Sequence, residues 1–197
     1  MKHSLFYVFI VIISFSLVAC NSSEQIKPIK KETIDFDIAV ATEVVENKEK
    51  LIVDLSMKDK ISQTEYQQLE KTFNEHFGQH ASAILSIFIP YDTDNEMPSE
   101  IFLTGETFYP TVFHKGIEVT KAVIHKSYYE NEFFNETSLR ITQEYVGDDE
   151  NLLGWQREYI YTENTDGEWE FYSFSGVLNF AGENYNALYL QLENWNE

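Results

Sequence analysis

Asn164-Thr165-Asp166-Gly167 separates two aromatic-rich segments in which apolar and polar residues alternate. This alternation is typical of strands with one buried face. Asn and Asp favour a type I turn, and a Gly in the left-handed conformation then completes a three-residue hairpin loop with a bulge. Such a loop pairs Tyr161 with Phe171. Further along the same two strands, it pairs Arg157 with Ser175.

With this register, the two faces of the hairpin differ sharply in polarity. One face collects Trp155, Tyr159, Tyr161, Trp169, Phe171 and Val177. The other face collects Gln156, Glu158, Thr162, Glu170 and Tyr172. A two-residue loop would shift the pairing by one residue and mix the two sets. We therefore predict the bulged loop, with the aromatic face buried.

Similar alternation predicts strands along most of the second half of the chain. These strands lie near 101–113, 117–129, 137–146, 155–163, 169–180 and 187–192. Alternation near the beginning of the chain predicts two more strands, at 34–44 and 51–55. A helix over 36–55 is the alternative interpretation of that region.

A helix is predicted between these two groups of strands. Ser62 and Glu65 have the spacing of a capping box at its start, and Gly78 is positioned to end it. One face of this helix carries Tyr66, Leu69, Phe73 and Phe77. The apolar segment Ala81–Ile89, which stops before Pro90, is either a second helix or a buried strand.

This order of elements predicts an α+β fold, with one or two helices packed on a curved antiparallel β-meander. The order resembles that of cystatin-like and nuclear-transport-factor-like domains, in which a curved sheet wraps a helix and leaves a cone-shaped pocket. The resemblance implies an architecture alone, because the order of elements carries no functional motif. A strand pair ahead of the helix departs from the simplest version of these folds.

The N-terminus has the composition of a secretory signal. Lys2 provides a positive charge, and the run from Leu5 to Leu17 is almost wholly apolar but shorter than the roughly 20 residues that span a bilayer. The run ends in Leu17-Val18-Ala19-Cys20, which resembles the lipobox of bacterial lipoproteins. The resemblance implies cleavage before Cys20 and a diacylglyceryl group on its thiol. The alternative is an ordinary signal peptide with a free cysteine.

These features predict how the chain is divided and where it is located. Residues 1–19 are predicted to be a signal peptide, residues 20–33 a lipidated N-terminus with a flexible tether, and residues 34–197 one globular domain. Two acyl chains hold a protein stably on a membrane. The expected location is therefore the outer face of the bacterial cytoplasmic membrane. Lipidation of Cys20 also leaves no thiol for a disulfide, a nucleophile or a thiolate metal site.

The charge of the chain limits the classes of partner that it is expected to bind. Removal of residues 1–19 takes away one Lys and no acid, which leaves 13 Lys and Arg against 33 Asp and Glu. Nucleic acid is not an expected partner, because phosphate binding needs clustered Lys and Arg. The expected partners are the lipid bilayer, reached through Cys20, and an envelope protein or a small ligand. Cationic peptides and divalent metals are compatible with the charge.

Arg157 is the residue that breaks the pattern of the predicted buried face. A guanidinium in that position needs a partner, because an unpaired buried charge is costly. One hypothesis is that Arg157, Ser173 and Ser175 line the open end of a pocket and bind an anionic or carbonyl ligand. The alternatives are a structural salt bridge to an inward-facing Glu, or an edge position from which Arg157 reaches water.

No motif predicts a metal, a cofactor or a catalytic centre. His76 and His80 are four residues apart, but Phe77 occupies the position where a zinc hydrolase has its general base. The acidic segments 92–96 and 147–151 are expected to be solvated loops, and weak Ca²⁺ binding by either is the alternative. The chain has no Gly-x-Ser-x-Gly element and no glycine-rich phosphate loop.

The sequence therefore predicts a membrane-anchored extracytoplasmic lipoprotein that acts as a non-enzymatic binding or accessory module. The alternatives are an enzyme that acts on envelope material through a pocket in the sheet, and a protein inhibitor of a secreted enzyme. Aromatic residues concentrated in 108–113 and 128–134 are either core or an exposed interface patch. A solvent-reachable pocket with several perturbed polar groups would favour the enzyme. A closed core with an exposed aromatic patch would favour the binding module.

Overall fold

A computed structural model describes residues 27–89, 98–103, 109–150 and 152–176, leaving out the side chain of Phe134. In chain order the elements are β1 (Lys30–Asp35), α1 (Ile38–Ser56), β2 (Lys60–Ser62), α2 (Gln63–Phe77), a 3₁₀ turn (Gly78–His80), α3 (Ala81–Phe88), β3 (Glu100–Phe102), β4 (Ile117–Tyr128), a 3₁₀ turn (Glu132–Phe134), β5 (Glu136–Tyr145), β6 (Gln156–Glu163) and β7 (Trp169–Gly176).

The fold-class prediction is confirmed: the chain is α+β, with helices packed on an antiparallel sheet. The sheet has the strand order β1-β4-β5-β6-β7, and each of its pairings is antiparallel. β4 to β7 therefore form a meander, and β1 lies beside β4. β2 and β3 form a separate two-stranded sheet.

The core lies between the inner face of the sheet and the helices. One row of cross-strand neighbours on that face consists of Ile124, Leu139, Tyr161 and Phe171. The helices contribute Val45, Ile52, Phe73, Phe77, Ile84 and Phe88, all of them buried. Burial of a large apolar side chain contributes about 1.5–3 kcal/mol, so this layer accounts for the packing of helices on sheet.

Helix α1 corrects the strands predicted over 34–44 and 51–55, and the alternative helix over 36–55 is confirmed. The Asp37 carboxylate caps the helix by accepting hydrogen bonds from the N–H groups of Ala39 (2.8 Å) and Val40 (3.2 Å). The buried residues of α1 are Ala41, Val45, Lys48, Glu49, Ile52, Val53 and Leu55. Their spacing is helical, whereas the alternation of Val and Ile that suggested strands is coincidental.

The sheet begins before the predicted domain boundary at residue 34. β1 pairs with β4 from Lys30, which lies opposite Tyr128. Tyr128 Oη also donates a hydrogen bond to the Glu32 carboxylate over 3.0 Å. Residues 30–33 are therefore part of the sheet, and the predicted tether cannot extend beyond residue 29. Their charged side chains gave no strand signal because edge strands tolerate charge.

The predicted ends of α2 are confirmed. Ser62 Oγ accepts a hydrogen bond from the Glu65 N–H over 3.2 Å, and the Glu65 carboxylate accepts one from the Ser62 N–H over 2.8 Å. At the other end, Gly78 has a φ of 52° and stops the helix. The segment Ala81–Ile89 contains helix α3, which settles its two alternatives in favour of the helix.

The hairpin between β6 and β7 has the predicted loop and one further irregularity. The Asn164 N–H donates to the Glu168 carbonyl, Gly167 has a φ of 81°, and Tyr161 pairs with Phe171, as predicted. A second register shift then falls opposite Ile160 and Tyr161. As a result Arg157 pairs with Gly176, so the predicted pairing of Arg157 with Ser175 is wrong.

The remaining strand predictions are confirmed in part. β4, β5 and β6 lie within one residue of the predicted 117–129, 137–146 and 155–163. The strand predicted over 101–113 is wrong in its last part, because the Thr111 carbonyl accepts a hydrogen bond from the His114 N–H and turns the chain. Residues 177–180 and the strand predicted at 187–192 lie outside the described residues. Among the helices that are described, none has the length and apolar character needed to cross a membrane.

Candidate functional site

Arg157, the first residue singled out from the sequence, is fully buried beside α1. Its Nη1 lies 3.1 Å from Glu49 Oε1 and donates a hydrogen bond to the Pro110 carbonyl over 2.9 Å. The guanidinium also packs on the ring of Tyr109, with its Cζ 4.2 Å from the ring centroid. Arg157 therefore has an inward-facing Glu as its partner, which is one of the alternatives raised by the sequence.

The Glu49 carboxylate receives four donors from three separate parts of the chain. Oε1 accepts hydrogen bonds from Tyr159 Oη (2.6 Å) and Arg157 Nη1 (3.1 Å). Oε2 accepts hydrogen bonds from the Val112 N–H (2.7 Å) and Gln143 Nε2 (3.0 Å). Burial raises the pKa of Glu49, and Arg157 and the three other donors oppose that rise. The four donors favour the charged form of the carboxylate, whereas its burial, the larger effect, keeps the pKa of Glu49 above the ordinary value.

The structure does not bring Arg157 together with the two serines predicted to share a ligand with it. Ser175 is exposed and pairs with Glu158, and Ser173 pairs with Ile160. Ser173 Oγ lies 3.2 Å from His80 Nε2 instead. The second bulge causes this difference, because it moves Phe174 rather than Ser175 onto the inner face. A ligand-binding role of Arg157, Ser173 and Ser175 stays a prediction.

Lys48, next to Glu49 on α1, occupies an aromatic environment. Its Nζ lies 4.2 Å from the ring centroid of Phe171 and 5.0 Å from that of Phe77. It donates a hydrogen bond to the carbonyl of His76 in the last turn of α2. Burial lowers the pKa of Lys48 to about 8. Within the described residues no carboxylate lies close enough to form an ion pair with it, so Lys48 caps the C-terminal end of α2.

His80 and Ser173 form a polar pair at the edge of the sheet. The His80 ring packs on Phe174, with centroids 4.4 Å apart, and this contact sets its orientation towards β7. His76 and His80 do not converge on one metal position, because Gly78 ends α2 between them. In the part of the chain that is described, no group of three or more His, Cys, Asp and Glu side chains is arranged to hold a metal ion.

A groove between the helices α2 and α3 is lined by several polar side chains. It has a volume of about 190 Å³. We call it the α2–α3 groove, and it is lined by Tyr66, Glu70, Asn74, Ser82, Leu85, Ser86 and Ile89. Tyr66, Leu85 and Ile89 are buried and form its floor, whereas the other four side chains are exposed at its rim.

The spacing of the lining residues explains why they meet. Tyr66, Glu70 and Asn74 recur every four residues on α2, whereas Ser82 and Ser86 are four residues apart on α3 and Ile89 directly follows that helix. Only the 3₁₀ turn separates the two helices in the chain. The lining residues of both helices therefore come from one short stretch of sequence, 66–89.

The predicted aromatic-rich windows are divided between core and surface. Tyr109 is buried, with 3% of its surface exposed, and Tyr128 and Phe113 are half-buried. Phe133 is 95% exposed. In the described residues these windows thus contribute to both the core and the surface.

Sequence reasoning missed Lys48, Glu49 and the α2–α3 groove. Lys48 and Glu49 interrupt the apolar stripe of α1, and a helical interpretation of 36–55 would have marked both as buried charges. The repeat of Tyr66, Glu70 and Asn74 was visible in the sequence, but only the position of α3 makes it one wall of a groove. Cys20 and the acidic segment 92–96 lie outside the described residues.

Comparison with known proteins identifies no relative of this chain. No protein-family model, no curated protein sequence and no solved structure matches the chain. Functional inference therefore depends on the sequence and on the geometry given above.

Proposed function

We propose that this chain is a lipoprotein, anchored by acyl chains on Cys20 to the outer face of the bacterial cytoplasmic membrane, and that it acts there as a non-enzymatic binding or accessory module. The anchor is supported by the sequence Leu17-Val18-Ala19-Cys20 after an apolar segment. β1 begins at Lys30, so about ten residues connect Cys20 to the sheet. At about 3.5 Å per residue, this tether keeps the domain within about 35 Å of its anchor.

The observation that favours binding over catalysis is the closure of the polar core. Glu49, Arg157 and Tyr159 have no exposed surface, and each is engaged by the others. General acid or base chemistry needs a group within hydrogen-bond reach of a substrate proton. These three side chains are instead committed to one another, and they stabilise the contact between α1 and the sheet. The α2–α3 groove leaves its rim free for a ligand.

The anchor is tested by comparing the chain with its Cys20→Ala variant in a bacterial host. Fed with an alkyne-labelled fatty acid, the unmodified chain should incorporate the label and fractionate with membranes. The variant should incorporate none and should not be retained as a lipidated product. A chain that takes up no label, or a variant that is labelled equally well, would overturn the proposed anchor.

The binding role is tested by capturing the lipidated chain from membranes after chemical crosslinking. Specific partners should be enriched over those captured by an unrelated lipoprotein of similar acidity, which controls for charge. Recovery of the same proteins with both baits would contradict a dedicated binding role. Mass spectrometry of the crosslinked peptides would also report which surface of the domain is used.

The pair formed by His80 and Ser173 favours an enzyme as the second candidate. A hydroxyl 3.2 Å from an imidazole nitrogen has the geometry of a nucleophile with its general base. A fluorophosphonate probe should then label the chain, and Ser173→Ala should abolish the labelling. Ser175→Ala provides the matched control, because Ser175 is exposed on the same strand and is not paired with a histidine. Absence of labelling on the unmodified chain would remove this candidate.

A further inference from the structure

We propose that the α2–α3 groove binds a protonated primary amine carried on an unbranched alkyl stem. This proposal rests on the proposed binding function and deepens it by naming the chemical class of the ligand. Two features of the groove carry the inference. They are the set of hydrogen-bonding groups left free at its rim and the apolar character of its floor.

Three polar groups of the groove have no partner within the described part of the chain. They are the Glu70 carboxylate, the Tyr66 hydroxyl and the Ser82 hydroxyl, none of which forms a hydrogen bond or an ion pair with another described residue. Asn74 Nδ2 donates a hydrogen bond to the Glu70 carbonyl over 2.8 Å, which leaves its Oδ1 free. The groove therefore presents four acceptor groups, three at its rim and the Tyr66 hydroxyl at its floor. An ammonium group has three donors and no acceptor, so it complements such a rim.

The negative charge of the groove favours a cationic ligand over a neutral hydrogen-bond donor. Glu70 is the only ionised side chain that lines the groove, and no Lys or Arg lies among the described lining residues. The Tyr66 phenol is close enough to Glu70 that the carboxylate, together with burial as the larger cause, raises the pKa of Tyr66. The phenol therefore stays protonated and neutral. The net charge of the chain, −19, further attracts cations to the surface.

The floor and the volume of the groove limit the polarity and the size of the rest of the ligand. Leu85 and Ile89 are buried, with 4% of their surfaces exposed, and together with the Tyr66 ring they offer an apolar wall. The volume of about 190 Å³ is below the range of roughly 300–1,000 Å³ that holds drug-sized ligands. A short alkyl stem that ends in an ammonium fits both limits. Such a group occurs in the side chain of lysine and in free aliphatic amines.

The experiment measures binding to the full chain in detergent micelles by isothermal titration calorimetry. The probes are n-pentylamine and N-acetyl-lysinamide, which distinguish a free amine from a lysine side chain in peptide form. Their neutral counterparts, 1-pentanol and N-acetyl-norleucinamide, have the same stems without the charge. We expect the charged member of at least one pair to bind at least tenfold more tightly than its neutral counterpart, which corresponds to about 1.4 kcal/mol.

Glu70→Gln tests whether the groove is the site. Glu70 is exposed, so the variant should fold normally while binding of the amine falls by about tenfold. Glu75→Gln is the matched control, because Glu75 is exposed on the same helix and pairs with Lys71 outside the groove. Equal loss in both variants would show attraction by overall charge and would overturn the site.

The two proposals fail in different ways. If neither charged probe binds the unmodified chain, or if neither binds more tightly than its neutral counterpart, the amine site is wrong. The membrane crosslinking test of the binding function is unaffected by that result. If crosslinking captures no specific partner but Glu70-dependent amine binding is present, the groove is a ligand site in a chain without the proposed protein partner.

Discussion

The contact between Glu49 and Arg157 allows a quantitative prediction about stability. Both side chains have 0% exposure, and Glu49 Oε1 lies 3.1 Å from Arg157 Nη1. Removing one member of a buried ion pair costs about 3–5 kcal/mol, because the remaining charge is left uncompensated. Total stabilities of domains are about 5–15 kcal/mol. Glu49→Leu and Arg157→Met should therefore each remove a large part of the free energy of unfolding.

The double variant separates the pair from the rest of the network. Glu49→Leu also leaves the Val112 N–H and Gln143 without an acceptor, and an unsatisfied buried group costs about 1–3 kcal/mol. The loss due to these unsatisfied groups persists when Arg157→Met is added. The loss due to an unpaired charge disappears in the double variant, because both charges are then absent. The double variant should thus be more stable than the sum of the two single losses predicts, by about 2 kcal/mol or more.

Urea unfolding followed by tryptophan fluorescence measures these differences, since Trp155 packs 5.0 Å from the Arg157 guanidinium. Arg140 and Glu158 provide a matched control pair in the same sheet. Their ion pair spans 2.9 Å, but 41% of the Arg140 side chain and 27% of the Glu158 side chain are exposed. Variants of that pair should cost less than about 1 kcal/mol. Strict additivity at Glu49 and Arg157, or equal losses in the two pairs, would refute the reasoning.

Three further predictions follow from particular contacts. The pKa of Lys48 is about 8 in the folded chain against 10.5 in the unfolded one, so the unfolded state binds more protons between these values and stability should rise by about 3 kcal/mol across that window. Lys48→Met should abolish that rise in urea titrations between pH 7 and 11, and an unchanged slope would contradict the burial of the amine. Gly176 has a φ of 102° and a Cβ there would collide with the Gln156 carbonyl oxygen, so Gly176→Ala should cost more than Gly167→Ala, whose φ of 81° is strained but whose surroundings are open. Equal melting temperatures for the two alanine variants would contradict the predicted collision, because they would mean that β6 and β7 move apart to accommodate the added methyl group. Ser62→Ala removes the cap of α2 and should lower stability by about 1 kcal/mol in thermal unfolding, and no measurable loss would show that the capping box is dispensable.

Local sequence signals predicted the elements whose conformation depends on neighbouring residues. The loop at 164–167 and the capping box at Ser62 each follow from chemistry within four residues. Both are present as predicted. The α+β class followed from these signals together with the alternation of β4 to β6, because burial on one face imposes that period on a strand.

Local sequence signals gave a wrong prediction where a strand period and a helical period both fit one segment. Residues 36–55 contain enough Val, Ile and Leu to match a strand over short windows and a helix over the whole length. The Asp37 cap and the packing of α1 on the sheet favour the helix. The second bulge of the hairpin has no turn residue to mark it. Its position follows from the packing of Phe174 against Tyr159 and His80.

The sequence by itself determined the loop chemistry, the α+β class, the acidic character and the expected anchor at Cys20, because each depends on composition or on residues close together in the chain. Tertiary structure alone decided that Arg157 pairs with Glu49, 108 residues away, and that α2 and α3 enclose a groove. A buried charge implies that a partner is present, but the identity of that partner depends on how α1 packs on the sheet. No local pattern records that packing.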